Sequence, residues 1–297
     1  MTLVLSLLTP THALQASDRK VVSICRGEIV EEDDQRNKAV LFRDRWAFGF
    51  TGLAELGPDR RTDLWLAEAL SRADQSLPPG DHDPRVLFRA VARRATDEFR
   101  RREILRLPSK LRRHAFVGVC WGRFPDAAQP LPYLVLISNF HDPKAGELGC
   151  ATDAFDFFID RADPGVSSVY WTGELLDRSE VRAMSALKRI DPRAPGFAAA
   201  AIRLMVEQVR SVANRRRTVG RGVLTVEIPG KVIEGRKAER FILHGSPDAD
   251  QVTFLYFPPG SEDATIHGPT YVGEGTVMSD FRACSLRSGS SHNPASQ

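Results

Sequence analysis

Cysteine is scarce in this chain: 4 residues in 297, at Cys25, Cys120, Cys150 and Cys284. No two stand as a CxxC pair, which excludes paired zinc ligands and a dense disulfide framework and suits thiols kept reduced in a cytoplasm. Long apolar runs are missing as well. The longest, Leu3 to Leu8, is broken by Ser6, whereas a bilayer span takes roughly 20 apolar residues. Nor is there an excess of one charge. Lys plus Arg number 41 against 38 Asp plus Glu, a net +3, too small to make nucleic acid or an anionic membrane the default partner. The opening MTLVLSLLTP has no basic residue before Arg19 and is interrupted by Pro10, so it lacks the basic start and long apolar stretch of a secretory signal, and a cytoplasmic protein is expected. His82, His114, His141 and His267 show no ligand spacing with one another or with cysteine, and the strings GPTYVGEG and PGKVIEGRK lack the strand-glycine-helix setting of a nucleotide loop. No metal and no cofactor is expected.

What is present is a chain 42% apolar, enough for one large or two medium globular domains. Thr2–Leu8 and His12–Ser17, separated by Thr9-Pro10-Thr11, predict a hairpin. Val21–Cys25 continues in strand style, an acidic loop is expected over Glu28–Asp34, and Lys38–Phe42 with Trp46–Thr51 makes another apolar pair. The period then changes. Leu64, Leu66, Ala67 and Leu70 fall on one helix; Val86 to Phe99 fall on a second behind Asp83 as cap and Pro84 in the first turn. Phe116–Trp121 and Tyr133–Asn139 read as a hairpin. Helical spacing returns over Val181–Ile190 and from Phe197 to Val212, and strands over Gly222–Ile228, Phe241–His244 and Val252–Phe257. Strands, two helices, strands, two helices, strands is the order of two stacked sheets with helices outside each, an α+β four-layer αββα sandwich; two separate α+β domains give a similar string.

Thr2 is the leading candidate for chemistry. A small residue behind Met1 invites removal of the methionine, leaving a hydroxyl and a free α-amine on one residue. With an ordinary pKa of about 8, that amine can accept the hydroxyl proton. Many chains begin Met-Thr without catalytic reason, so Thr2 needs supporting residues. Asp18 follows in Ser17-Asp18-Arg19, Lys38 heads a strand, and Gly52 sits in Phe50-Thr51-Gly52-Leu53 at a strand-to-helix junction.

At these residues the chain resembles the threonine-protease branch of the N-terminal nucleophile (Ntn) hydrolases, the proteasome β-subunit and its HslV-like bacterial relatives. The step from Thr2 to Asp18 and that from Lys38 to Gly52 match the family's spacing, while the stretch between Asp18 and Lys38 is longer, an insertion expected as a surface loop. The resemblance implies that the Thr2 hydroxyl attacks a peptide or amide carbonyl while its own amine takes the proton. It implies that Lys38 lowers the pKa of nucleophile and amine, that Asp18 holds the Lys38 ammonium, and that the Gly52 N–H stabilises the oxyanion. For substrate binding it implies Phe50 as a selecting wall flanked by Ala54 and by Val21 and Val22; Phe50 as plain core is the competing reading. Peptide substrates, no cofactor and a homo-oligomer, a ring or a smaller assembly, follow from the same resemblance.

The resemblance covers residues 2–230. Residues 231–286 read as a β-rich C-terminal extension packed on that domain, and 287–297, rich in Ser, Asn and Pro, as a disordered tail. The chain also departs from the family. Arg217 and Gly220 stand where an Asp and a Ser usually assist the amine, and only Ser167, Ser168 and Thr172 are near the place of a further assisting Ser. A proteasome-fold scaffold that no longer reacts therefore stays open. So does a nucleic-acid binder, from the ten Arg and one Lys between Arg85 and Arg113, although a solvated helix face or an inter-subunit surface accounts for that run more simply.

Overall fold

The computed structural model describes the chain except residues 1, 26–27, 35, 44, 78–82, 123, 125, 128–129, 143–145, 163–164, 175, 231–252, 260, 262–265, 268, 273–276, 279–281 and 284–297. The expected strand at Phe241–His244 and the tail from 287 lie outside the described residues.

Strands β1 (Leu3–Leu8) and β2 (His12–Asp18) form the predicted hairpin, with Leu8 opposite Ala13. Its turn is closed by Thr9, whose Oγ1 accepts the His12 N–H at 2.8 Å. β3 (Val21–Cys25) is followed by a correction: the expected acidic loop is a strand, β4 (Glu28–Asp33), paired antiparallel with β3. The charge of Glu32 is accommodated on this two-stranded ribbon because it has partners: Lys20 bonds it at 2.8 Å and Arg217 at 3.2 Å. β5 (Ala39–Phe42) and β6 (Trp46–Thr51) lead into α1 (Thr62–Gln75) and α2 (Pro84–Arg101), the latter capped by Asp83, which accepts the Arg85 N–H at 3.0 Å. Next come β7 (Ala115–Gly122), β8 (Leu131–Ser138), β9 (His141–Asp142), β10 (Gly146–Glu147), β11 (Asp156–Arg161) and β12 (Ser168–Gly173). α3 (Arg178–Met184) starts and stops earlier than its spacing predicts. A capping box of Asp177 and Glu180 fixes its start, and the chain leaves it in a turn so that Leu187 as well as Met184 can be buried. α4 (Phe197–Ala213), β13 (Val223–Pro229), β14 (Thr253–Phe257), β15 (Ile266–His267), β16 (Thr270–Val272), β17 (Val277–Met278) and β18 (Arg282–Ala283) complete the mixed α/β chain.

Two sheets dominate. One has the order β12-β1-β2-β13-β14, the other β11-β8-β7-β6-β5-β16-β17; every neighbouring pair is antiparallel except β16, which runs parallel to β5. Side-chain alternation along β1 shows how they pack. Leu3, Leu5 and Leu7 join Phe197, Met205 and Val209 of α4, while Val4 and Leu8 join Ala47, Val117 and Trp121 of the larger sheet. A strand buried on both faces reads as a near-continuous apolar run, as β1 does. Ser6 is the exception on the inter-sheet face, where it meets the Gln15 amide that also bonds the Val117 carbonyl at 3.0 Å. The other face of the larger sheet packs Phe48, Phe50 and Phe116 against Trp65 of α1 and Phe88 and Phe99 of α2. Part of the basic run between Arg85 and Arg113 is paired in place: Arg85 with Asp83, Arg101 and Arg102 with Glu98, Arg106 with Glu103, and Arg112 with Asp153.

Candidate active site

Antiparallel pairing brings β1's beginning, β2's end, β12's end and β13's beginning to one edge of the smaller sheet. β5 begins just after Lys38, so a residue from the larger sheet reaches the same edge. Thr2, Asp18, Lys38, Gly173 and Gly220 thus meet although they are far apart in sequence.

Lys38 is 2% exposed and its ammonium has three N–H groups. One goes to the Thr2 hydroxyl Oγ1 at 2.7 Å, one to Asp18 Oδ2 at 3.1 Å, and one to the Lys20 carbonyl. Burial pushes the Lys38 pKa below the ordinary lysine value, and the Asp18 charge opposes that fall. Asp18 is itself fully buried and accepts four hydrogen bonds: Leu3 N–H on Oδ1 at 2.9 Å, then Lys20 N–H at 3.1 Å, Gly220 N–H at 3.0 Å and Lys38 on Oδ2. Such a carboxylate is tolerated inside a protein because each charge-assisted bond offsets part of its desolvation, about 1.5–3 kcal/mol apiece. Glycine at 220 is required by space, since a Cβ there would lie 2.7 Å from Lys20 Cβ.

The main chain of Thr2 is held from the other side by the Glu174 N–H, 3.0 Å from its carbonyl oxygen. Gly173, at φ +102°, makes that approach possible: a Cβ at 173 would overlap the Thr2 carbonyl and lie 2.9 Å from Thr51 Cγ2. Thr51 therefore reaches the same spot from the larger sheet, and Gly52 follows it, exposed, also at φ +102°. The turn that carries Gly52 is fixed by His114, whose Nδ1 accepts the Leu53 N–H at 3.1 Å. His114 is buried among Phe50, Phe99, Phe116 and Phe155, and burial lowers its pKa to about 3, so it is neutral.

Thr2, Asp18 and Lys38 are joined by hydrogen bonds, and Gly52 lies one residue beyond Thr51 beside them. The substrate-binding candidates fare differently. Phe50 is 2% exposed and stacks on His114 with ring centroids 6.0 Å apart. Alternation along β6 turns it to the helix face, away from Thr51, so it is core and forms no wall beside Thr2. Val21 and Val22 are half-buried at the start of the β3–β4 ribbon, and Ala54 is half-buried with its carbonyl accepting the Thr62 N–H. Sequence reasoning missed Gly173, Glu174, His114 and Thr218. Thr218 Oγ1 donates to the 8%-exposed Glu174 carboxylate at 3.2 Å.

Among the described residues no cluster of three or more His, Cys, Asp or Glu could hold a metal, and no helix is long and apolar enough to cross a membrane. No family model and no curated protein matches the chain. Solved structures similar to it include a mutant of Anbu from Hyphomicrobium sp. strain MC1, 17% identical over 76% of this chain and 80% of that one, with a TM-score of 0.43. Anbu from Yersinia bercovieri, described as an ancestral beta-subunit, is 10% identical over 77% and 81%, with a TM-score of 0.44. Anbu from the same Hyphomicrobium strain is 16% identical over 77% and 82%, with a TM-score of 0.42.

Proposed function

We propose that this protein is a proteasome-like threonine hydrolase of the Ntn type, an αββα sandwich that cleaves peptide or amide bonds through an acyl-enzyme on Thr2 once Met1 is removed. The observation that carries the reading is the 2.7 Å hydrogen bond from the buried Lys38 ammonium to the Thr2 hydroxyl, with Asp18 behind it. A lysine is costly to bury, and here all three of its protons are aimed at defined acceptors, one of them a nucleophile.

In this reading the Thr2 α-amine takes the hydroxyl proton as Oγ1 bonds to the scissile carbonyl carbon. Lys38 stabilises the negative charge growing on Oγ1, and the Gly52 N–H receives the oxyanion, a contribution of about 3 kcal/mol where such donors have been removed elsewhere. Collapse breaks the C–N bond, the leaving amine takes the proton held by the α-amine, and an ester remains on Thr2. Water, deprotonated by the same amine, attacks that ester; the acyl C–Oγ1 bond breaks, Oγ1 takes the proton back from the amine, and the acid is freed. Peptides or unfolded polypeptides in the cytoplasm are the proposed substrates. Self-association through exposed helix faces is proposed with them.

The departures at Arg217 and Gly220 favour a second reading, an assembly or scaffold protein of the same fold without activity. Intact-mass analysis and a β-lactone probe separate the two. Protein that has lost Met1, gains one acyl adduct, and loses the adduct in Thr2→Ala and Lys38→Ala supports the hydrolase. Retained Met1, or an unlabelled wild type, supports the scaffold.

A further inference from the structure

The turn at residues 216–220 has Arg217 and Gly220 where the resemblance implies an Asp and a Ser, yet a carboxylate and a hydroxyl do meet next to the residue that holds Thr2. Glu174 supplies the first and Thr218 the second, 3.2 Å apart, with Arg216 Nε 3.5 Å from the other Glu174 oxygen. The Glu174 N–H bonds the Thr2 carbonyl, and two residues after Thr218 the Gly220 N–H bonds Asp18. Asp18 pairs with Lys38, and Lys38 donates to Thr2 Oγ1. The contacts close a circuit that begins and ends on Thr2, and Glu174 is the one residue in it that grips both the Thr2 main chain and the 216–220 turn.

Resting on the threonine-hydrolase reading, we infer that Glu174 is a positioning residue of this site, fixing the Thr2 main chain and anchoring the turn that steadies Asp18. Its position has an electrostatic consequence. The carboxylate hangs from the residue bonded to Thr2, so its charge favours the protonated form of a Thr2 α-amine and raises that amine's pKa. The charged groups around it are Lys38 at the head of β5, Asp18 of β2, which pairs with Lys38, and Arg216 of the turn, which pairs with Glu174; Asp34 and Lys20 act on Lys38 from the segments flanking the β3–β4 ribbon, and Lys20 is paired with Glu32, which also holds Arg217. Lys38 acts in the opposite sense, and Glu174 balances it.

The test uses full-length protein whose N-terminus is generated at Thr2 by cleavage of a removable leader. Two readouts are taken: the pKa of the Thr2 α-amine, from the pH dependence of its acetylation by limiting acetic anhydride, and the rate of Thr2 acylation by a β-lactone. Glu174→Gln keeps the shape and removes the charge; the amine pKa is expected to fall by about one unit, the shift an opposite charge nearby commonly gives. Thr218→Val keeps the charge and cuts the anchor; acylation is expected to slow about tenfold with the amine pKa unmoved, as a lost positioning contact of about 1.4 kcal/mol does. An unmoved pKa in Glu174→Gln, or wild-type acylation in Thr218→Val, overturns the inference. If wild-type Thr2 is not acylated at all, the hydrolase reading fails, while the acetylation titration still decides what Glu174 does.

Discussion

Nδ1 of His114, at the head of β7, accepts the main-chain N–H of Leu53, the residue after Gly52. A neutral imidazole sealed among phenylalanine rings thereby fixes the loop on which the proposed oxyanion donor sits. The bond requires an unprotonated Nδ1, so the loop's anchor exists only while His114 stays neutral.

That makes acid the first test. With a folded pKa of about 3 against 6.5 for an ordinary histidine, the unfolded chain binds more protons at His114 between those values. The contribution of this residue is complete above pH 6.5 and is lost as pH falls toward 3, by up to about 1.4 kcal/mol per pH unit. Urea unfolding at a series of pH values is expected to show this slope in the wild type. In His114→Phe the slope is expected to be shallower.

Activity should fall again in alkali. The proposed chemistry needs a neutral α-amine, whose ordinary pKa is about 8, and a charged Lys38. Because burial lowers the Lys38 pKa, the alkaline limb of a bell-shaped profile is expected below the 10.5 of a free lysine. Rates of β-lactone acylation from pH 6 to 11 measure both limbs; a flat profile to pH 11 contradicts the role given to Lys38.

Asp18→Ala is expected to destabilise more than Lys38→Ala. Removing Asp18 strands three main-chain N–H groups and a buried ammonium, whereas removing Lys38 leaves a carboxylate that still accepts three N–H bonds. About 3–5 kcal/mol is expected for the first. Equilibrium unfolding of the two variants checks the order.

Gly173→Ala should be among the most damaging single-methyl changes in the chain. The new Cβ meets the Thr2 carbonyl oxygen at a residue with φ +102°, so both backbone strain and a clash oppose it. A lowered melting temperature and loss of Thr2 acylation are expected together, since either the strand end or Thr2 must move.

Much of this was legible in the chain and some was not, for identifiable reasons. The β1–β2 hairpin, α2 and α4 announce themselves through periodicity, a Thr-Pro-Thr turn and the Asp83-Pro84 start, all local signals. Thr2 carries a signal of its own, a hydroxyl and a prospective α-amine on one residue, while Asp18 and Lys38 stand out only through the resemblance to the threonine-protease family, whose spacing they match. Phe50 carries two readings in the sequence, selecting wall or plain core, and only its place in β6, which turns it toward the helices, decides for the core. The β4 strand was hidden by its charges, which suit an exposed ribbon as well as a loop. Glu174 and His114 could not be read at all: their partners lie 44 and 61 residues away, and nothing local distinguishes a buried carboxylate or imidazole from a solvated one.

The parallel pairing of β16 with β5 ties the late part of the chain to the lysine strand. Thr270 accepts the Asn37 amide at 2.8 Å and donates to Asp63 of α1 at 2.7 Å, all three side chains buried. Loosening Thr270 would therefore free both Asn37, the residue before Lys38, and Asp63 in the first turn of α1.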